Sequence, residues 1–298
     1  MYSAKAFSPA GLSGFFAAYP VKGDPLRSGA KGGGLALARG VKVEISVEEA
    51  KKTEIITLLN GELRDMYVAR RAIEILLQKA EYNMRIVIDQ EIQIPVGGGL
   101  GSSAASALAA ALAFAKAARL KVTYNEAARA AHIADVECGT GLGTVSGLVV
   151  GGMLLVTKPG APGLDEVKRL IVGPELKVVI GFYGPIKKET VLKSSDIPRI
   201  NEIGEETLRN ILRDPLPENF MRECWEFARK TGLASSRVIK GVEAARKAGA
   251  LGASQAMIGE TVYALVEEGR VAEVAEAVKK TGAEVFVTEV EWRPAHLI

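Results

Sequence analysis

Residues 95–105 read Pro95-Val96-Gly97-Gly98-Gly99-Leu100-Gly101-Ser102-Ser103-Ala104-Ala105. Glycines let a backbone take φ > 0 and come close to a ligand, so their N–H groups can converge on an anion. The alanine-rich run that follows predicts a helix. A helix N-terminus adds unpaired N–H groups and the positive end of the helix dipole. Ser102 and Ser103 supply hydroxyls that can cap the helix, bind phosphate or ligate a metal ion. The chemistry implied is the holding of phosphate. A strand-to-helix turn with serine caps fits the same residues.

Rival patterns are absent. No Gly-Lys-Ser/Thr string completes a Walker A loop. A dinucleotide fingerprint starting at Gly97 needs glycine at position 102, which is Ser102. The Gly-x-Ser-x-Gly elbow of hydrolases does not occur. A serine hydrolase triad would have to use His132 or His296, the only two histidines.

The elements that must position this loop can be read from periodicity. Residues 35–47 alternate in part and predict a strand after a Gly/Pro loop at 19–34; 55–59 predict a second strand. Residues 66–79 carry apolar positions at helical spacing. Residues 86–94 read as the strand that delivers the chain to Pro95. Residues 102–120 are almost all alanine and leucine. An all-round apolar helix of strong helix formers has to be buried. A helix over 125–136 follows, capped by Thr123 or Asn125. A glycine cluster at 139–152 comes next, and residues 160–163 break the pattern as the expected domain boundary. Beyond it, strands at 177–182, 261–265 and 283–290 alternate with helices at 201–212, 220–231, 235–248 and 271–281. The expected architecture is α+β, with an N-terminal domain at 1–160 and a C-terminal α/β sandwich at 161–298.

Composition bounds the partners. The chain has 298 residues, 48% of them hydrophobic, enough for a large core. Basic and acidic side chains number 38 and 35, a balance that gives no argument for nucleic acid or a membrane surface. Two cysteines, Cys138 and Cys224, exclude a disulfide framework and a cysteine-based zinc site, and read as packing residues. Residues 2–9 lack the apolar core of a signal peptide, and the apolar stretch at 104–115 is too short to span a bilayer, so a cytoplasmic protein is expected. Few Asn and Gln among many Glu, Lys, Arg and Val lean towards a thermophilic source.

Residues 95–105 resemble the central motif of the GHMP kinases, Pro-x-x-x-Gly-Leu-Gly-Ser-Ser-Ala-Ala, with one residue of slack. Ser8-Pro9-Ala10-Gly11-Leu12-Ser13-Gly14-Phe15-Phe16 sits where that family has its N-terminal motif. Gly249-Ala250-Leu251-Gly252-Ala253-Ser254-Gln255-Ala256-Met257-Ile258-Gly259 sits where it has its C-terminal glycine-rich motif. Within the family, Ser8–Phe16, Ser28-Gly29-Ala30-Lys31-Gly32-Gly33-Gly34, His132-Ile133-Ala134-Asp135 and Ala253–Thr261 are most similar to the archaeal pantoate kinases.

The resemblance implies a two-domain GHMP fold with a ferredoxin-like C-terminal domain, ATP and Mg²⁺ as cofactors, pantoate as acceptor on the route to coenzyme A, and a homodimer. It implies that Pro95, Gly97, Gly98, Gly99, Leu100, Gly101, Ser102, Ser103, Ala104 and Ser254 hold the nucleotide. Ser103 and Asp135 would hold Mg²⁺, and His132 would touch the acceptor. Two positions depart from the family. Thr144 stands where many members keep an aspartate base, and Val156 near where an arginine pairs with the substrate carboxylate; Lys158, Lys187 or Lys188 are the expected replacements. Those departures leave another acceptor alcohol (mevalonate, homoserine or a sugar) and a catalytically silent nucleotide or metabolite sensor as alternatives.

Overall fold

The computed structural model describes residues 1–186 and 196–298. Strand β1 (Tyr2–Tyr19) and strand β2 (Gly29–Glu49) pair antiparallel over most of their length, with bulges between Pro9 and Ala10 and between Ser13 and Phe15. Periodicity places strand only from residue 35, yet Gly29 and Gly32-Gly33-Gly34 already lie in β2. They are glycines because another backbone approaches there. A Cβ on Gly34 would stand 1.9 Å from the Leu12 carbonyl oxygen, and one on Gly29 2.3 Å from the Gly160 nitrogen. Glycine inside a strand often marks such an approach, and no local pattern announces it.

Strands β3 (Glu54–Leu59), β4 (Glu62–Leu63) and β5 (Met84–Ile92) extend this sheet from the far half of β2. Strand β6 (Met153–Lys158) joins the near half, and β7 (Glu166–Leu170) joins β6. Helix α2 (Ser102–Ala117) lies on β1 and β2 and is covered in turn by α1 (Tyr67–Leu77) and α3 (Tyr124–Glu137). Its all-round apolar composition is therefore satisfied: every residue from Ala104 to Phe114 is buried. Helix α3 starts on a capping box in which Thr123 and Glu126 bond each other's amides. A short helix, α4 (Thr144–Leu148), rises from the glycine cluster.

The second sheet holds β8 (Leu176–Phe182), β9 (Gly252–Gln255), β10 (Thr261–Glu267) and β11 (Glu284–Glu289), antiparallel in the order β11-β8-β10-β9. Numbered within this unit the order is 4-1-3-2, the ferredoxin-like arrangement. Helices α5 (Ile197–Arg213), α6 (Pro217–Thr231) and α7 (Ser236–Lys247) link β8 to β9, and α8 (Val271–Lys279) links β10 to β11. The chain changes sheet after Leu170. Residues 160–163 form a turn inside the first sheet, since β6 and β7 on either side pair with each other. The last strand, β12 (His296–Leu297), returns to β1. The halves share a core at Phe15, whose ring lies 6.3 and 6.2 Å from those of Phe220 and Phe227 on α6.

Gly34→Ala is expected to destabilise the fold by about 2 kcal/mol or more, because the β1–β2 backbones would have to separate. Gly269→Ala, with nothing within 4 Å of the added methyl group, is expected to stay within about 0.5 kcal/mol. Denaturant titration of both variants checks the pair.

Candidate active site

The loop before α2 takes the shape its glycines allow: Gly97, Gly99 and Gly101 have φ of 80°, 77° and 65°. It is clamped from two sides. The Gly11 amide donates to the Leu100 carbonyl at 3.1 Å, and a Cβ on Gly101 would stand 2.6 Å from the Gly11 oxygen. From the other side, a Cβ on Gly99 would meet the Ala256 oxygen at 2.9 Å, and one on Gly259 the Gly98 oxygen at 2.2 Å. The Met257 amide donates to the Ser13 carbonyl at 2.7 Å, tying the two clamps together. Three glycine segments far apart in sequence thus meet at one point. Gln255 braces the third by donating to the Gly259 carbonyl at 2.9 Å, a positioning role that its isolated occurrence in the sequence does not signal.

A cleft of about 270 Å³ opens on this junction. Gly97, Gly99, Ser102, Ser103 and Ala104 line it on one side, Asp135 and Thr140 on another. Helix α2 has Gly101 as N-cap and no side-chain cap, so neither serine caps it and its N-terminal turn faces the cleft. Asp135 is buried on α3 and accepts from the Thr140 hydroxyl at 2.5 Å, while the Thr140 and Gly141 amides bond its main-chain carbonyl at 3.0 and 3.3 Å. A Cβ at Gly141 would stand 2.2 Å from Asp135 Oδ2, so that glycine keeps room for the carboxylate. Among the described residues no cluster of three His, Cys, Asp or Glu could hold a metal by itself. A hard cation here would rest on Asp135, Ser103, phosphate oxygens and water.

A second cavity of about 490 Å³ adjoins the cleft, and Gly11, Ser13, Thr140, Thr144 and Met257 line both. Thr144, the first residue of α4, stands at the junction. The cavity walls are mostly apolar or glycine, including Phe16, Leu154, Val156 and Ile197. Lys31 is the one charged side chain lining it among the described residues. Its Nζ lies 2.7 Å from Glu205 Oε1, which also accepts from the Tyr19 hydroxyl at 2.5 Å. Burial raises Glu205, but the bonds from Lys31 and Tyr19 outweigh it and hold the carboxyl below its usual range. Burial and Glu205 push the Tyr19 phenol up to about 12, so it stays a donor.

Other expected site residues stand elsewhere. His132 is buried and lines neither cavity. Its Nε2–H donates to the carbonyls of Ser28 and Pro25 at 3.0 and 3.1 Å, pinning the β1–β2 loop onto α3. Lys158 is exposed at the end of β6, and Ser254 is fully buried on β9; neither lines a cavity. Pro95 and Gly98 also lie outside the linings, Gly98 facing Phe182 and Thr261. Lys187 and Lys188 fall outside the described residues. Sequence reasoning missed Lys31: it falls in a segment that resembles the family, but only its tertiary placement brings it to the cavity. Both cysteines are free; Cys224 is buried, and burial pushes its thiol pKa far up, as suits a packing residue.

Comparison with known proteins gives a consistent result. Residues 67–152 match the GHMP kinases N terminal domain and residues 208–284 the GHMP kinases C terminal. A pantoate kinase of Methanocaldococcus jannaschii is 32% identical over 87% of this chain and 91% of its own. Another, of Thermococcus kodakarensis, is 32% identical over 89% and 88%. A solved structure described as a phosphotransferase related to the CoA biosynthesis pathway superposes with a TM-score of 0.91 at 27% identity, covering 99% of this chain and 98% of that one. No helix among the described residues is long and apolar enough to cross a membrane.

Burial lowers the His132 pKa, against the pull of the two carbonyls, Asp135 and Asp165. A histidine held neutral contributes stability that is complete above its unfolded pKa, about 6.5, and is lost as pH falls below that value. His132→Asn keeps a donor but does not titrate. Its unfolding free energy is expected to fall less between pH 7 and pH 5 than that of the wild type. Separately, Mg·ATP at a hundred times its Kd is expected to stabilise the wild type by about 2.7 kcal/mol. Asp135→Asn is expected to remove most of that gain, read as the shift in melting temperature on adding Mg·ATP.

Proposed function

The chain belongs to the GHMP kinase family, and we propose that it transfers the γ-phosphoryl group of ATP to the 4-hydroxyl of pantoate, on the way to coenzyme A. An ATP-dependent transfer to an alcohol is the activity of such a kinase. The observation that carries the acceptor reading is the adjoining pair of cavities: one lined by a glycine loop and a helix N-terminus, the other larger, mostly apolar and provided, among the described residues, with one cation. Two pantoate kinases align with this chain over nearly its whole length.

In this reading the amides of residues 97–103 and the end of α2 receive the phosphates. Ser103 and Asp135 would hold Mg²⁺, which would neutralise phosphate charge when bound. Thr144 and Ser13, at the junction, orient the acceptor hydroxyl towards the γ-phosphorus. The new O–P bond forms as the bond to the β-phosphate oxygen breaks, and ADP leaves. Asp135, in the adjoining cleft, is given to the cation in this reading, and the hydroxyl proton passes to a phosphoryl oxygen. A loose transition state tolerates this, because little nucleophile activation is needed before the bond to the leaving group breaks. The apolar walls exclude water, which would otherwise compete as acceptor.

Release of ADP measured with pantoate, mevalonate, homoserine, shikimate and galactose tests the proposal. Pantoate is expected to lead by at least about tenfold in kcat/KM, the low end of what one methylene group is worth in an apolar pocket. A tenfold preference for any other acceptor overturns it. Tight Mg·ATP binding with no turnover on the whole panel replaces the enzyme by a nucleotide sensor. In the same assay Thr144→Asp is expected to leave kcat within about threefold, because positioning and charge carry the transfer; a rise of about 10²–10⁴-fold, the usual worth of a general base, would show that proton abstraction limits the wild type.

A further inference from the structure

Lys31 lies where the cavity needs an explanation. A cation among apolar and glycine walls costs free energy unless an anion accompanies it. Glu205 is that anion at rest, at 2.7 Å, and the two side chains are 28% and 26% exposed. Glu205 does not line the cavity, whereas Lys31 does. An ammonium has three donors, and the Glu205 bond uses one.

The pair is held by backbone rather than by chance. Lys31 is paired with Ala17 across the β1–β2 ladder. The neighbouring Ala18 is gripped by Asn201 of α5 through two bonds, its amide donating to Oδ1 at 2.7 Å and its carbonyl accepting from Nδ2 at 2.8 Å. Asn201 and Glu205 are four residues apart on α5, so they share one helix face. The contact that docks α5 on β1 therefore also sets Glu205 against Lys31.

We propose that Lys31 determines specificity by binding the carboxylate of the acceptor, and that Glu205 is its resting counter-ion, which the incoming acid shares or displaces. This rests on the acceptor reading above and adds its chemical class: a hydroxy acid with a free carboxylate, selected over a neutral alcohol of the same shape. Were Glu205 to hold Lys31 permanently, the cavity would be neutral overall and would favour the uncharged alcohol instead.

The test compares pantoate with its neutral primary amide in wild type, Lys31→Met, Lys31→Arg and Glu205→Gln. Lys31→Met is expected to raise KM for pantoate roughly tenfold to a hundredfold, as loss of a charged hydrogen bond does. KM for the amide and for Mg·ATP should stay within about twofold, a split that general damage to the fold would not give. Lys31→Arg should recover most of the acid affinity, and Glu205→Gln should lower KM for pantoate by removing the competing anion. Calorimetric titration of acid and amide into wild type and Lys31→Met reads binding without turnover. Equal acid binding by wild type and Lys31→Met, or a wild type that prefers the amide, overturns the inference. Acid bound through Lys31 but never phosphorylated overturns only the pantoate kinase reading and leaves the site standing.

Discussion

Three stretches of backbone must come into contact at the start of α2, and nothing larger than hydrogen fits between them. Gly11 from β1, Gly99 and Gly101 from the loop, and Gly259 from the turn between β9 and β10 meet there. A side chain at Gly99, Gly101 or Gly259 would run into the backbone of another of these segments, and one at Gly11 would press on Leu148 and Thr144 of α4. The contact therefore joins both halves of the molecule and fixes the edge of the cleft at once. It also gives the loop a double duty: its glycines are needed for packing against protein as well as for approach by a ligand.

From that junction the electrostatic division of the site follows. On one side, an uncapped helix end, two serine hydroxyls and a buried aspartate suit phosphate with a hard cation. On the other, a mostly apolar cavity carries, among the described residues, one lysine whose charge is balanced from outside by Glu205. Thr144 stands where the two meet. Such a layout places the catalytic effort in positioning and charge, the terms that dominate phosphoryl transfer, rather than in proton abstraction by the protein.

Much of this was legible in the sequence, for identifiable reasons. Helix α2 announces itself because alanine and leucine on every side leave no solvent face, and α3 because Thr123 and Glu126 form a local cap. The strand at Gly29–Gly34, helix α4 and strand β9 were missed, all inside glycine clusters. Local propensity argues against regular structure there, and contacts made far along the chain overrule it. Ser103, Asp135 and Thr144 could be singled out because their motifs are local, and all three line the cleft. Lys31 was missed because its partner Glu205 lies 174 residues away. The family resemblance implied that His132 touches the acceptor, but its ring is engaged by loop carbonyls, and of the two residues only Asp135 lines the cleft.

A structure determined with a non-hydrolysable ATP analogue, Mg²⁺ and pantoate bound together tests the central claim most directly. The triphosphate is expected on the amides of residues 97–103 at the head of α2, with the cation between it, Ser103 and Asp135. Pantoate is expected in the adjoining cavity, its 4-hydroxyl facing the γ-phosphate past Thr144. Nucleotide bound away from that loop, or pantoate outside that cavity, would contradict the claim that this junction is where the phosphoryl group is transferred.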